Sequence, residues 1–390
     1  RENQMQSNIE NAMNINDDAR RKLQVSRRSF LSLMGMGAIT LGLGLAGCGS
    51  TEGKGGAATT GSDEGSTVDK ITMVWLPNES SAEFDKGREE FGKVLEKYAG
   101  VPVELMTTTD YNVAIEAIAS GKAQLANMGA EGFIQAQKKN AKVMPLVTTS
   151  DTDGKLDGAK YFSRICVPAD QMDQYKDDSD PTGYSIKNVK GKRMSFVSAT
   201  STSGFKVPSN AIMDAFPDEV ASTDELTKPG FFSQVLFGNS HPGSAVNLLQ
   251  GDADVAAFDD IDVDMYLDVP TDDRDKANSA GQVYNVKDGA AQPFDRVQGK
   301  SFGIIQSTPV LNGPIAVNTE VLPQDIIDKL LEGLTSKETA SDELLFAPED
   351  VEDSGAVWSL GDTAGFIAVE DSWYDPIFNH LFEITICSGN

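Results

Sequence analysis

The densest run of hydrogen-bonding side chains in the chain is Ser198-Ala199-Thr200-Ser201-Thr202-Ser203-Gly204-Phe205. It follows a stretch that reads as a strand, Lys192 to Val197, and precedes one that reads as a helix, Gly204 to Phe216. The first turn of a helix carries unpaired backbone N–H groups and a partial positive charge. The hydroxyls of Ser201, Thr202 and Ser203 add donors at the same point, and Gly204 lets the backbone come close. Together these groups make a cradle for an anion that needs no lysine. The same residues also suit a plain Ser/Thr N-cap, which helices use constantly. Three or four charge-assisted hydrogen bonds, at ~1.5–3 kcal/mol each, cover much of the roughly 8 kcal/mol of a micromolar complex.

Three other loops offer polar groups in the same kind of place. In Asn239-Ser240-His241-Pro242-Gly243-Ser244, His241 is suited to donate to an anion oxygen, or to serve as a capping or buried group. Phe258-Asp259-Asp260 closes a strand. There Asp259 can accept from a protonated oxyanion or an ammonium, or cap the next helix. Asp110-Tyr111 opens a further helix. Asp260-x-Asp262-x-Asp264 has the spacing of a calcium loop, but no Gly stands at the sixth position and no Glu at the twelfth. A solvated acidic face is the plainer account of it.

The elements that must carry these loops alternate. Strands are expected at Val68 to Pro77, Val101 to Leu105 and Gln124 to Met128. Between them fall a helix from Ser80 to Tyr98, stopped by Gly100, and one from Tyr111 to Ser120, capped by Asp110. Further strands are expected at Val235 to Phe237, Ala253 to Phe258, Ser301 to Gln306 and Gly313 to Val317. Helices are expected at Ser244 to Gln250, Pro323 to Leu334 and near Ser341. The alternation is that of an α/β protein with crossover helices. In such sheets ligands sit at the carboxyl ends of strands, so the four loops can converge on one cleft.

At about 150 residues per domain, 390 residues make two or three domains. The net charge of −26 argues against a nucleic-acid partner, which needs a basic face. Two histidines and three cysteines leave few ligands for zinc or an iron–sulfur cluster. A mean hydropathy of −0.28 and a single long apolar run exclude a polytopic membrane protein.

That run, Phe30 to Ala46, follows Arg27-Arg28 and ends in Leu45-Ala46-Gly47-Cys48. Residues 1–47 read as a signal peptide of twin-arginine and lipoprotein type, with a general secretory signal as the alternative. Five glycines between Gly35 and Gly47 weaken a spanning helix. Cys48 is then the lipid-bearing residue, and the small and polar residues through Thr67 make 48–67 a flexible tether. Of the remaining thiols, Cys166 and Cys387 are open to a disulfide outside the cell or to two separate buried sites.

The run Ser201-Thr202-Ser203-Gly204-Phe205, with Val207-Pro208 after it, resembles the signature of the phosphonate/phosphite substrate-binding proteins of ABC transporters. Asp110-Tyr111, Met128-Gly129, Ser240-His241, Asp252 to Asp259 and Tyr374-Asp375-Pro376-Ile377 agree with that family in order. The likeness runs from about Val68 to Phe382. It implies a two-lobed type II periplasmic-binding-protein fold with mixed, mostly parallel sheets and two chain crossings at the hinge. These fall near Ser163–Val167 and Gln306–Gly313, so residues 68–165 plus 310–390 form one lobe and 166–309 the other. The resemblance further implies that Ser201, Thr202 and Ser203 grip phosphonyl oxygens. Tyr111 and Gly129 would line the first lobe's face, and His241 and Asp259 the second's. Two departures stand out: Pro242 where some relatives have a carboxylate, and Met128 where some have an aromatic.

The function implied is extracytoplasmic. A lipid-anchored binding protein, with no cofactor and no metal, takes a phosphonate, phosphite or phosphate and hands it to a permease. Feeding a signalling receptor instead is the nearest alternative. A hydrolase built on Ser203, His241 and Asp259 is the other, but no Gly-x-Ser-x-Gly elbow surrounds Ser203. The acidic surface does not forbid an anion, because charge beyond ~8 Å is largely screened at physiological salt.

Overall fold

A computed structural model describes residues 68–80, 84–348 and 355–378. The expected signal, tether and lipidation site, together with Cys387, lie outside them. The strands in chain order are β1 (Ile71–Trp75), β2 (Val103–Thr107), β3 (Leu125–Asn127), β4 (Val143–Thr149), β5 (Lys160–Pro168) and β6 (Arg193–Phe196). They continue with β7 (Gln234–Phe237), β8 (Val255–Asp259), β9 (Leu267–Asp268), β10 (Val283–Val286) and β11 (Ser301–Leu311). The last are β12 (Pro314–Asn318), β13 (Phe346–Ala347), β14 (Trp358–Ser359) and β15 (Phe366–Ala368). The longer helices are α1 (Asp85–Ala99), α2 (Tyr111–Ala119), α3 (Ala130–Lys139), α4 (Val207–Ala215), α5 (His241–Gln250) and α6 (Gln324–Leu334).

Two sheets define two lobes. The first is ordered β15-β4-β12-β3-β1-β2, the second β7-β6-β8-β5-β11-β10-β9. The chain leaves the first sheet after Thr149 and enters the second at Lys160. It leaves the second at Leu311 and re-enters the first at Pro314. β5 and β11 run side by side from Lys160↔Leu311 to Phe302↔Pro168, with one register shift between Ile304 and Gln306.

The sheets are mixed, as expected, but not mostly parallel. Within these two sheets parallel pairing is confined to β1 with β2 and β3, and to β6 with β7 and β8, while β13 and β14 pair parallel apart from them. The remaining pairings of both sheets are antiparallel. β5 leads out of the first lobe and β11 leads back to it, so the two run antiparallel side by side.

Burial follows the helical periodicity. On α1, Phe91 and Leu95 face the core, and Gly100 ends the helix in the left-handed region at φ 75°. Ile326, Ile327, Leu330 and Leu334 of α6 close the same face of the first sheet. α2 and α3 cover its other face with Ile115, Ile118, Phe133 and Ile134. In the second lobe, Phe196, Phe205 and Phe232 fill one side of the sheet. α5 fills the other with Ala245, Leu248 and Leu249. Among the described residues no helix is long and apolar enough to cross a membrane.

The helix expected from Gly204 begins differently. Thr202 to Lys206 form a wide π-type turn, and the α-helix starts only at Val207. The Lys206 amide donates to the Ser201 carbonyl at 3.0 Å. Such turns recur at functional sites. Pro208 fits just behind it, where no backbone N–H is needed. The helix expected from Ser244 starts earlier, at His241, because Ser240 caps it by accepting from the Gly243 amide at 3.1 Å.

Candidate functional site

A cleft of about 830 Å³ lies where the carboxyl ends of strands from both lobes meet. Ser201, Thr202, Ser203, Tyr111, Gly129, His241 and Asp259 all line it. All of them but Gly129, which is half-buried, are at most 3 % exposed. The four loops singled out in the sequence thus share one space.

Ser201 caps the wide turn, its Oγ accepting from the Gly204 amide at 3.1 Å and lying 3.4 Å from His241 Nε2. Gly204 is required there, since a Cβ would stand 2.2 Å from Val197 Cγ2. Thr202 reaches across to the first lobe, where its Oγ1 accepts from the Glu131 amide at 2.9 Å. That amide belongs to the first turn of α3, so Thr202 occupies an anion's place at a helix N-terminus. Gly129, the N-cap of α3, makes the approach possible: a Cβ on it would lie 2.8 Å from Thr202 Oγ1. Ser203 Oγ donates to Asp259 Oδ2 at 3.2 Å, and Ser163 Oγ of β5 donates to the Ser203 carbonyl at 2.6 Å.

His241 and Asp259 are both about 2 % exposed. The Asp259 amide donates to His241 Nδ1 at 3.0 Å, which leaves the proton of the neutral ring on Nε2, 3.2 Å from Asp259 Oδ2. Burial pushes the imidazole down to about 3, against the upward pull of Asp260. Burial also raises the Asp259 carboxyl well above the usual carboxylate range. Asp262 and Asp260 add to that rise, while the Asp262 amide and the Ser203 hydroxyl oppose it. The shift favours the protonated form of Asp259 more than in an exposed aspartate, and a neutral carboxyl can donate to a ligand oxygen.

Several site residues were not read from the sequence. Asn78 follows β1, and its Oδ1 accepts from the Tyr111 hydroxyl at 3.0 Å and from the His241 amide at 3.3 Å, joining the lobes. Tyr161 of β5 lines the cleft near Ser203, its hydroxyl kept protonated by burial. Arg274 pairs with Asp260 at 3.0 Å and with Asp362 of the first lobe at 3.2 Å. The helix α3 had a legible signal, Glu131 in its first turn and Lys138-Lys139 in its last. Nothing local marks Asn78, whose role depends on the other lobe.

The calcium spacing does not build a calcium site. Asp264 turns to Arg164 and Asp260 to Arg274. Ligand atoms of His241, Asp259 and Asp262 do lie within 4.8 Å of one another, a spacing that would admit a metal ion. The Ser203 hydroxyl and the Asp262 amide already engage the two Asp259 oxygens. Of the two departures noted in the sequence, Met128 lines the cleft, whereas Pro242 is built into the first turn of α5. Cys166 is buried and has no disulfide partner among the described residues.

Two lobes joined by a pair of long strands, with buried donors aimed into the gap between them, define a two-lobed solute-binding protein. The family model of the ABC transporter, phosphonate, periplasmic substrate-binding protein matches residues 73–374, and the chain belongs to that family. A relative, the phosphate-import protein PhnD of Mycolicibacterium smegmatis, is 27% identical over 210 residues. The match takes in 52% of this chain and spans 61% of that relative's length. PhnD1 from Prochlorococcus marinus, solved in complex with methylphosphonate, is 15% identical with a TM-score of 0.55. The superposition covers 80% of this chain and 96% of that one. A binding-protein component of an ABC phosphonate transporter from Pseudomonas aeruginosa is 19% identical, with a TM-score of 0.52, over 79% and 84% of the two chains. Both structures share the fold.

Proposed function

We propose that this chain is an extracytoplasmic solute-binding protein that captures a small phosphorus oxyanion between its lobes and delivers it to an ABC transporter permease. One observation carries the reading. Three consecutive hydroxyl residues, Ser201, Thr202 and Ser203, are buried in the interlobe cleft, and one of them already occupies the N-terminus of α3. A bound oxyanion replaces the acceptors these hydroxyls now use within the protein. The Glu131 amide, the Ser201, Thr202 and Ser203 hydroxyls and His241 Nε2 turn to its oxygens. Asp259 either donates its proton to an oxyanion oxygen or, ionised, accepts one from it.

The bonding around His241 supports binding over hydrolysis. In a catalytic triad the histidine takes the serine's proton at Nε2 and passes it to the leaving group, while its Nδ1–H donates to the carboxylate. Here Nδ1 accepts from a backbone amide, and Ser203 bonds to Asp259 directly. In this reading residues 1–47 are the signal, Cys48 carries the lipid and 48–67 tether the body to the membrane. The lobes close by hinge motion, with the boundaries expected at 165/166 and 309/310 moved to the passages Thr149–Lys160 and Leu311–Pro314, because β5 and β11 belong whole to the second sheet.

A thermal-shift panel of phosphate, phosphite, methylphosphonate, 2-aminoethylphosphonate and sulfate tests the reading. A ligand at 100 times its Kd adds ~2.7 kcal/mol of stability. A flat response to all five would end it.

A further inference from the structure

The segment from Asp259 to Tyr266 reverses the usual order of burial. Asp259, Asp260 and Asp262 are 2 %, 3 % and 8 % exposed, while Ile261 and Met265 are 48 % and 41 % exposed. Carboxylates point inward and large apolar side chains point out. Both apolar side chains line the interlobe cleft on its second-lobe side. Phe84 and Trp358 line the same cleft from the first lobe. Trp358 is held by an edge contact with Phe366 at 4.7 Å and by Phe91 at 5.3 Å. The cleft therefore continues from the oxyanion donors into a region with apolar groups on both sides.

Its size points the same way. The lobes already touch through Thr202 and Glu131, His241 and Asn78, and Arg274 and Asp362. The cleft nonetheless keeps about 830 Å³. Sites for drug-sized molecules run from about 300 to 1,000 Å³. A phosphorus atom with its oxygens and a methyl group fills a small part of such a space.

We propose that the cargo is a tetrahedral phosphorus oxyanion carrying one apolar substituent of ring size, held between Ile261 and Met265 on one lobe and Phe84 and Trp358 on the other. The inference rests on the oxyanion reading above and adds the substituent to it. The chemistry is common to a phosphonate, joined through carbon, and a phosphate monoester, joined through oxygen.

Titration calorimetry on the full chain with phosphate, methylphosphonate, phenylphosphonate and phenyl phosphate tests it. At least one phenyl ligand is expected to bind about tenfold tighter than methylphosphonate, the gain from burying roughly 55 Å² of apolar surface. Whichever phenyl ligand binds tighter identifies the linkage. In the double variant Ile261→Ser/Met265→Ser the ratio of phenyl to methyl affinity is expected to fall to about one. Both positions are exposed, so the variant keeps its core, and its methylphosphonate isotherm reports that it is folded. A methylphosphonate affinity equal to or above both phenyl ligands overturns the inference and leaves the oxyanion site standing. A phenyl preference that survives the double variant overturns the assignment to this lip. Failure of all four ligands overturns the inference, and only a flat thermal-shift panel beside it overturns the oxyanion reading itself.

Discussion

Asp259 engages both nitrogens of His241: its amide donates to Nδ1 at 3.0 Å, and its carboxyl oxygen Oδ2 lies 3.2 Å from Nε2. One residue thereby fixes the tautomer of the ring and supplies the partner for its single proton. The two groups also shift in opposite senses, the imidazole down to about 3 and the carboxyl well up, burial being the first cause of each.

This opposition predicts a flat pH response. Unfolded histidine and aspartate titrate near ~6.5 and ~3.9. Between those values, as far up as the raised carboxyl keeps its proton, the unfolded pair holds one proton on histidine and the folded pair one on Asp259, so the numbers of bound protons match. Stability should then be insensitive to pH through this pair. His241→Asn leaves the raised carboxyl alone, and stability should fall as pH rises through its folded pKa. Asp259→Asn leaves the depressed imidazole alone, and stability should fall as pH drops below about 6.5. Each slope approaches ~1.4 kcal/mol per pH unit. Urea unfolding from pH 4 to 7 measures all three proteins. A steep wild-type slope that neither variant changes would contradict this account.

Ser201→Ala with Thr202→Val removes two donors at the centre of the cleft. Two charge-assisted bonds at ~1.5–3 kcal/mol each correspond to a loss of about 10²–10⁴ in affinity. Calorimetry with the best ligand of the thermal-shift panel gives the value. A loss below tenfold would place the oxyanion elsewhere.

Gly129→Ala should hold the lobes apart. Its φ of −67° is ordinary, so the backbone accepts alanine, but the new Cβ would meet Thr202 Oγ1 at 2.8 Å. The expected result is an unchanged circular dichroism spectrum and a fall in affinity of about tenfold or more, ~1.4 kcal/mol. Small-angle scattering of the liganded protein should show a larger radius of gyration than wild type.

Arg164 is fully buried beneath the cleft and donates to Asp264 at 2.8 Å, to Asn278 at 2.6 Å and to the Tyr284 hydroxyl at 2.9 Å. Arg164→Met leaves the Asp264 carboxylate without its partner. Breaking a buried pair costs about 3–5 kcal/mol, and the remaining solvent contact of Asp264 sets the expectation near ~3 kcal/mol. Adding Asp264→Leu should restore part of it, because a removed pair costs less than a broken one. Chemical denaturation of both variants decides the point.

Much of this protein is local and so readable from sequence. The Ser201-Thr202-Ser203-Gly204 run, the capping aspartate at Asp110, the stop at Gly100 and the α/β alternation each depend on residues a few positions apart. Strand direction around the hinge was not readable, because the pairing of Lys160 with Leu311 joins residues far apart in the chain. Nor was the wide turn at Thr202, whose shape answers to Val197 packed beneath Gly204. Residue types alone determined that donors would gather at the ends of strands. Only the tertiary structure decided that Asn78 joins Tyr111 to His241, that Thr202 meets the start of α3, and that Ile261 points outward while its neighbouring aspartates turn in. Those contacts come from elements that approach only when both lobes are built, so no stretch of sequence encodes them by itself.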